Sequence, residues 1–195
     1  MPVFATLLMA AIAAPSPTTP TPWFQNEDYP VRAFERRQEG TTGFEVVVKP
    51  DGIPAACRIV TSSGHSALDQ RACAIATNRI RFTPARGPDG QPAYGVYRTQ
   101  VHWAIDPYNW SQAELGPDFE VSVSKLPDGA TGPIPVKYTI AVTGDGTVAN
   151  CTPFASDYAA TLGELGCEKL KRDLRRSPPN AGVESVQTAW ISFTR

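Results

Sequence analysis

Four cysteines carry the clearest chemical signal in this chain, because Cys57 and Cys73 are 16 positions apart and so are Cys151 and Cys167. Such pairs can close disulfides or supply ligands to zinc. Neither pair is C-x-x-C, and the two histidines, His65 and His102, are matched at no equivalent position, so the spacing favours disulfides 57–73 and 151–167 over a metal site. Two disulfides in turn point to an oxidising compartment. Ser62, Ser63, His65 and Asp69 are the right types for nucleophilic catalysis, but they crowd into eight residues and no G-x-S-x-G elbow is present. They read as capping residues at a helix entry, with Ser66 offering the N-cap. Asp51, Asp89, Asp128 and Asp145 each precede glycine without the D-x-D-x-D-G run of a calcium loop, and read as turns. There is no G-x-G-x-x-G and no P-loop. No catalytic residue, metal or cofactor is therefore expected, and the chain is not expected to be an enzyme.

The elements that place the cysteines follow from a repeat. The second pair is offset from the first by 94 positions, and the same offset gives ten ungapped identities between residues 44 and 84. Among them are Asp51-Gly52 on Asp145-Gly146, Leu68 on Leu162, Arg81 on Arg175 and Pro84 on Pro178. Phe44, Val46 and Val48 alternate with Glu45 and Lys49, as Tyr138, Ile140 and Val142 alternate with Thr139 and Thr143, which predicts a strand buried on one face. Each Asp-Gly predicts a hairpin turn. Leu68, Ala72, Ala76 and Ile80 recur at helical spacing within 66–81, with a counterpart over 157–176, and strands over 95–105 and 183–193 close the units. The expected fold is α+β: two small repeats, each one helix on a three-stranded antiparallel sheet. Cys73 then lies on the helix face toward the strand of Cys57, and each disulfide staples helix to sheet, adding about 3 kcal/mol in the chain-entropy model.

Composition bounds the rest. With 195 residues, 42% apolar and 19% charged, the chain can build a core, and its net charge of −1 gives no footprint for nucleic acid. Val3 to Ala14 is the longest apolar run, shorter than the ~20 residues of a membrane span, and ends on Ala11-Ile12-Ala13, the pattern of an exported protein's cleavage site. The boundaries drawn are a signal peptide at 1–14, a Pro-rich linker at 15–28, domain 1 at 29–106, a linker at 107–117 and domain 2 at 118–195. Lys169, Lys171, Arg172, Arg175 and Arg176 read as a solvated basic helix end. Trp103, Trp110 and Trp190 read as core or rim aromatics, and Trp23 and Phe24 as packing onto domain 1.

The ordered set Tyr29-Pro-Val-Arg-Ala-Phe-Glu-Arg-Arg-Gln-Glu-Gly40, Val46-Val-Val-Lys-Pro-Asp-Gly52, Ser62-Ser-Gly64, Leu68-Asp69, Phe82-Thr-Pro-Ala85 and Gly90-Gln-Pro92 resembles the C-terminal domain of TonB energy transducers. The resemblance covers residues 29 to 105; residues 118 to 195 look like a degenerate copy without the Tyr-Pro opening. It implies a periplasmic module, active in TonB-related transmembrane transport, that grips a segment of an outer-membrane transporter by strand addition. The partner-binding residues it implies are Tyr29, Pro30, Arg32, Arg36 and Arg37 at the entry, and Val96, Tyr97, Arg98, Gln100 and His102 on the last strand. Membrane contact would be indirect only. A full transducer carries a long Pro-rich segment across the periplasm, whereas residues 15–28 are expected to reach at most ~50 Å. Retention of residues 3–14 as an inner-membrane anchor is the alternative to cleavage. The alternative function is a structural or self-assembly module, with the strand edge building a homo-oligomer.

Overall fold

The computed structural model describes residues 12–105, 111–113, 115–130, 132–156 and 158–195. Residues 3–11 of the apolar run, Ala11 of its cleavage pattern among them, and Trp110 lie outside these residues. In chain order the strands are β1 (Ser16–Pro17), β2 (Gly40–Val48), β3 (Pro54–Thr61), β4 (Phe82–Thr83), β5 (Ala85–Arg86), β6 (Pro92–Ala93), β7 (Gly95–Trp103), β8 (Ser111–Ala113), β9 (Phe119–Ser122), β10 (Ile134–Val142), β11 (Val148–Pro153) and β12 (Ser185–Thr194). The helices are α1 (Val31–Glu35), α2 (Ser66–Arg79) and α3 (Ala159–Asp173).

Both Asp-Gly steps turn hairpins, β2–β3 and β10–β11, with Gly52 at φ 80° and Gly146 at φ 88°, where a side chain would be strained. A Cβ would also meet the Phe82 carbonyl oxygen at 2.2 Å in the first case and the Arg176 carbonyl oxygen at 2.3 Å in the second. The helix after each hairpin buries one stripe: Leu68, Ala72, Ile75 and Ala76 from α2, and Leu162 and Leu170 from α3. These pack on Phe44, Val46 and Val48 in the first half, and on Val136, Tyr138 and Ile140 in the second, so each half has its own core. Trp23 and Phe24 are buried in the first core. Disulfides Cys57–Cys73 and Cys151–Cys167 are both formed, with Cα separations of 5.4 and 5.6 Å, tying β3 to α2 and β11 to α3.

Three local expectations are corrected. The N-cap position of α2 is His65 rather than Ser66, since Leu68 N–H and Asp69 N–H both donate to the His65 carbonyl. The Pro-rich segment is not a free linker, because β1 pairs with β4 and Ala13 bridges to Arg86. The basic stretch outlasts its helix: α3 ends at Asp173, and the side chain of Arg176 is only 8% exposed.

The two halves share a sheet. Strand order is β11-β10-β12-β7-β2-β3, with β12 and β7 parallel through Val186↔Gly95 and Gln187↔Val96. Neighbours in a parallel ladder point to the same side. Gln187 alternates in register with Ala189 and Ile191, which face α3, whereas Val96 alternates with Tyr97 and Val101, which face α2. The two helices therefore lie on opposite faces. Beyond this short contact the strands diverge; β8 pairs with the outer edge of β7 at Gln100–His102, and β9 with that of β12 at Ile191–Thr194.

Packing under α3 depends on Gly166. The buried Tyr138 hydroxyl donates to the Leu162 carbonyl at 3.1 Å, and burial pushes the phenol up to about 12. A Cβ at position 166 would sit 1.8 Å from that hydroxyl oxygen. Gly166→Ala is expected to destabilise by about 1–3 kcal/mol through overpacking, against the usual helix-propensity gain of about 1 kcal/mol. Chemical denaturation checks the sign.

Candidate functional site

Of the residues singled out at the entry and on the last strand, Tyr29 reaches the end of β7 through Trp103, whereas Val96 lies at the start of that strand against β12. Tyr29 is buried, its ring 5.6 Å from that of Trp103 and 5.9 Å from that of Phe34, and its hydroxyl donates to the Gln38 carbonyl. It is part of the core, and burial raises its phenol above the ordinary value. Pro30 holds the N-cap position of α1, whose outer surface exposes Val31 (71%) and Phe34 (51%) beside the exposed Arg32, Arg36 and Arg37.

A carboxylate clamps this entry segment onto α2. Asp28 is 4% exposed and receives both Nη atoms of Arg79 (2.6 and 2.8 Å) and Nη2 of Arg71 (2.7 Å), while Arg79 also donates to the Trp23 carbonyl. Burial pushes the Asp28 carboxyl up, but the Arg79 and Gln25 hydrogen bonds and the charges of Arg79 and Arg71 outweigh it, leaving it below its usual value. Asp69 is held in the same sense: burial raises it, and donors from Ser62, Ser63 and Thr42 pull it lower. Thr42 in turn accepts from the Trp103 indole at 3.0 Å. The Ser62, Ser63 and Asp69 cluster thus stitches β2 and β3 to the start of α2, and among the described residues the His65 ring makes no hydrogen bond to it. Because both carboxyls titrate lower in the folded than in the unfolded state, their stabilisation is present above the ordinary carboxylate value and is lost as pH falls through the depressed one. Stability is expected to be flat from pH 7 to about 5 and to fall steeply below about 4; removal of Asp28 with Asn should flatten that acid limb.

On β7, Tyr97 faces the α2 side, against the rings of Trp23 (5.9 Å) and Phe82 (5.4 Å). Val96 is buried beneath the contact with β12, and His102 Nδ1 lies 3.0 Å from Thr41 Oγ1. Gln100 and His102 lie in the ladder with β8. The outer edge of β7 is thus covered at Gly95–Val96 by β12 and at Gln100–His102 by β8, and between those stretches it borders an opening. That opening is a cavity of about 180 Å³ lined by Tyr97, Arg98, Lys137, Phe154 and Trp190.

Arg98 belongs to a network that sequence reasoning missed. Its Nε pairs with Glu45 at 2.9 Å and its Nη1 with Asp118 at 2.8 Å, and Arg58 pairs with Glu45 from β3. Asp118 also accepts from Arg176 at 2.6 Å and from the Trp190 N–H at 3.0 Å. Burial pushes the Arg176 guanidinium down, and the Asp118 charge offsets part of this. The 94-position offset held the signal: it maps the buried Phe82 onto Arg176, and each donates its N–H to the carbonyl of the hairpin glycine, Gly52 or Gly146.

The segment just before Asp118 runs along this same site. Leu115 lies over Gly43 of β2, where a Cβ would come within 2.8 Å of Leu115 Cδ2, and the Leu115 carbonyl accepts from the Trp190 indole at 2.9 Å. Among the described residues no group of three or more His, Cys, Asp or Glu could hold a metal ion. No helix among them is long and apolar enough to cross a membrane.

No curated protein and no solved structure matches the chain. A hairpin, a disulfide-bonded helix and a returning strand, entered through Tyr29-Pro30, account for the stretch in which a family match is found, which ends two residues beyond β7. Residues 25–105 match the family model of the Gram-negative bacterial TonB protein C-terminal, and the first half of the chain is similar to that family.

Proposed function

We propose that this chain is a periplasmic, non-enzymatic peptide-binding module of TonB-related transport that holds an extended segment of an outer-membrane transporter by strand addition along β7. The family match over residues 25–105 supplies the class of partner. The observation that carries the mode of binding is β8, since the edge of β7 at Gln100–His102 already accepts an added antiparallel strand. Arg98, Gln100 and His102 would border the added segment, and the exposed Arg32, Arg36 and Arg37 would flank it near Trp103. The second half, on this reading, is a degenerate tandem copy whose last strand seals the start of β7.

Titration with synthetic segments from the periplasmic side of outer-membrane transporters tests this, with backbone amide shifts as the readout. Saturable binding with shifts concentrated on β7 is the expected result. Absence of binding to every segment, with β7 amides unchanged, would overturn it. Export is expected to leave a mature protein about thirteen residues shorter than the full chain and unreactive toward thiol alkylation; intact mass of protein from its host decides this.

The self-assembly reading draws support from the β7–β12 contact, which already spends part of the edge on the chain's own strand. A concentration-dependent sedimentation coefficient would favour it.

A further inference from the structure

The segment that covers β7 has the features of a ligand. Ser111–Ala113 adds as an antiparallel strand with the register Gln100↔Ala113, Val101↔Gln112 and His102↔Ser111. Leu115 then seats its side chain on Gly43 and its carbonyl on the Trp190 indole, 2.9 Å away. Three residues later the Asp118 carboxylate is received by two guanidinium groups, Arg98 at 2.8 Å and Arg176 at 2.6 Å, and by the Trp190 backbone N–H. Backbone pairing, an apolar seat and a carboxylate seat lie in a line, and their walls come from both halves of the chain.

From this we infer that the site is a receptor for an extended peptide of defined pattern, a strand followed by an apolar residue and a carboxylate three positions further on, and that the chain's own Ser111–Ala113 and Leu115–Asp118 occupy it in cis. The inference rests on the strand-addition reading above and gives it a sequence preference and a form of self-control. The cavity of about 180 Å³ beside Leu115 and Gly116 leaves room for a partner residue bulkier than leucine, so an aromatic at the apolar position is preferred. A three-residue ladder offers few hydrogen bonds to hold β8 in place. The cis segment lowers the apparent affinity for a partner by the fraction of molecules in which it has left the site.

The probe is a capped, labelled octapeptide with the sequence of residues 111–118, Ser-Gln-Ala-Glu-Leu-Gly-Pro-Asp, titrated into the full chain and into its Leu115→Ala variant. Binding to the variant is expected to be about tenfold tighter than to the native chain, since the cis competitor has lost its apolar anchor. Replacing Leu by Phe in the peptide should tighten binding, and replacing its Asp by Ala should abolish it. In the native chain, excess peptide should strip the Ser111–Ala113 amides of their protection while those of Gln100–His102 stay protected. This arm needs no variant and holds if Leu115→Ala misfolds. Equal affinity for native and variant chains, or Ser111–Ala113 amides that stay protected at saturation, overturns the inference. Transporter segments run in parallel separate the two readings. If they bind both chains equally, the functional reading stands and the cis occupancy falls. If the octapeptide binds and no transporter segment does, the receptor stands and the transporter reading falls.

Discussion

Asp118→Ala is expected to lower the free energy of unfolding by about 3–5 kcal/mol, because it leaves two largely buried guanidinium groups without their shared partner. The Asp118 carboxylate is the meeting point of Arg98, whose side chain is 18% exposed, and Arg176, at 8%. The Nε atoms of Arg98 and Arg176 both lack a hydrogen bond among the described residues, but Arg98 keeps the Glu45 carboxylate within 2.9 Å, so Arg176 depends on Asp118 most. Taking an unpaired charge out of water costs several kcal/mol, more than any surface pair returns. A second substitution separates charge from shape. Arg176→Met in the Asp118→Ala background should recover a large part of the loss, as the uncompensated charge is gone and an unbranched apolar chain fills the place that Phe82 occupies in the first half. Urea denaturation of the two single variants and the double variant gives the coupling. Asp118→Ala that unfolds at the native midpoint would mean the network is solvated in solution.

Loss of either disulfide ranks next. Replacing Cys57 and Cys73 together with alanine should cost about 3 kcal/mol, since the bridge closes a loop of 16 positions and confines the unfolded chain. The same holds for Cys151 and Cys167. For a chain of this size about 3 kcal/mol corresponds to a fall in Tm of roughly 6–12 °C. The two losses should be nearly additive, because the bridges lie in separate cores on opposite faces of the sheet. Thermal unfolding of the two double variants and of the cysteine-free chain measures this. A cysteine-free chain as stable as the native one would show that the small cores suffice alone.

Much of the architecture was legible because it is local. Alternation over Phe44, Val46 and Val48, the Asp-Gly turns and the 16-residue cysteine spacing each depend on a few neighbouring residues, and the structure has a strand, a turn and a disulfide there. The joining of β7 to β12 was not legible. Val96 and Tyr97 are apolar neighbours pointing to opposite faces, so β7 reads as a strand buried on both sides without naming what covers it. Arg176 was misread, and Asp118 passed over, for a related reason. A charged residue in sequence is solvated by default, and these two are buried only because they find each other across 58 positions. Leu115 looked like linker for want of periodicity, since its partners, Gly43 and Trp190, lie in the two different halves.

The parallel contact between β7 and β12 has a last consequence, for how copies of this molecule could stick together. Since β3 runs with β7 and β11 with β12, the two margins of the sheet point the same way. Copies meeting margin to margin, β3 of one against β11 of the next, would not close into a dimer but would continue as a fibre. Pro54 at the start of β3 and Pro153 at the end of β11 each withhold an N–H from such growth. Polymerisation is thus the hazard that accompanies a sheet built by joining two halves along their last strands, and the prolines at its borders oppose it.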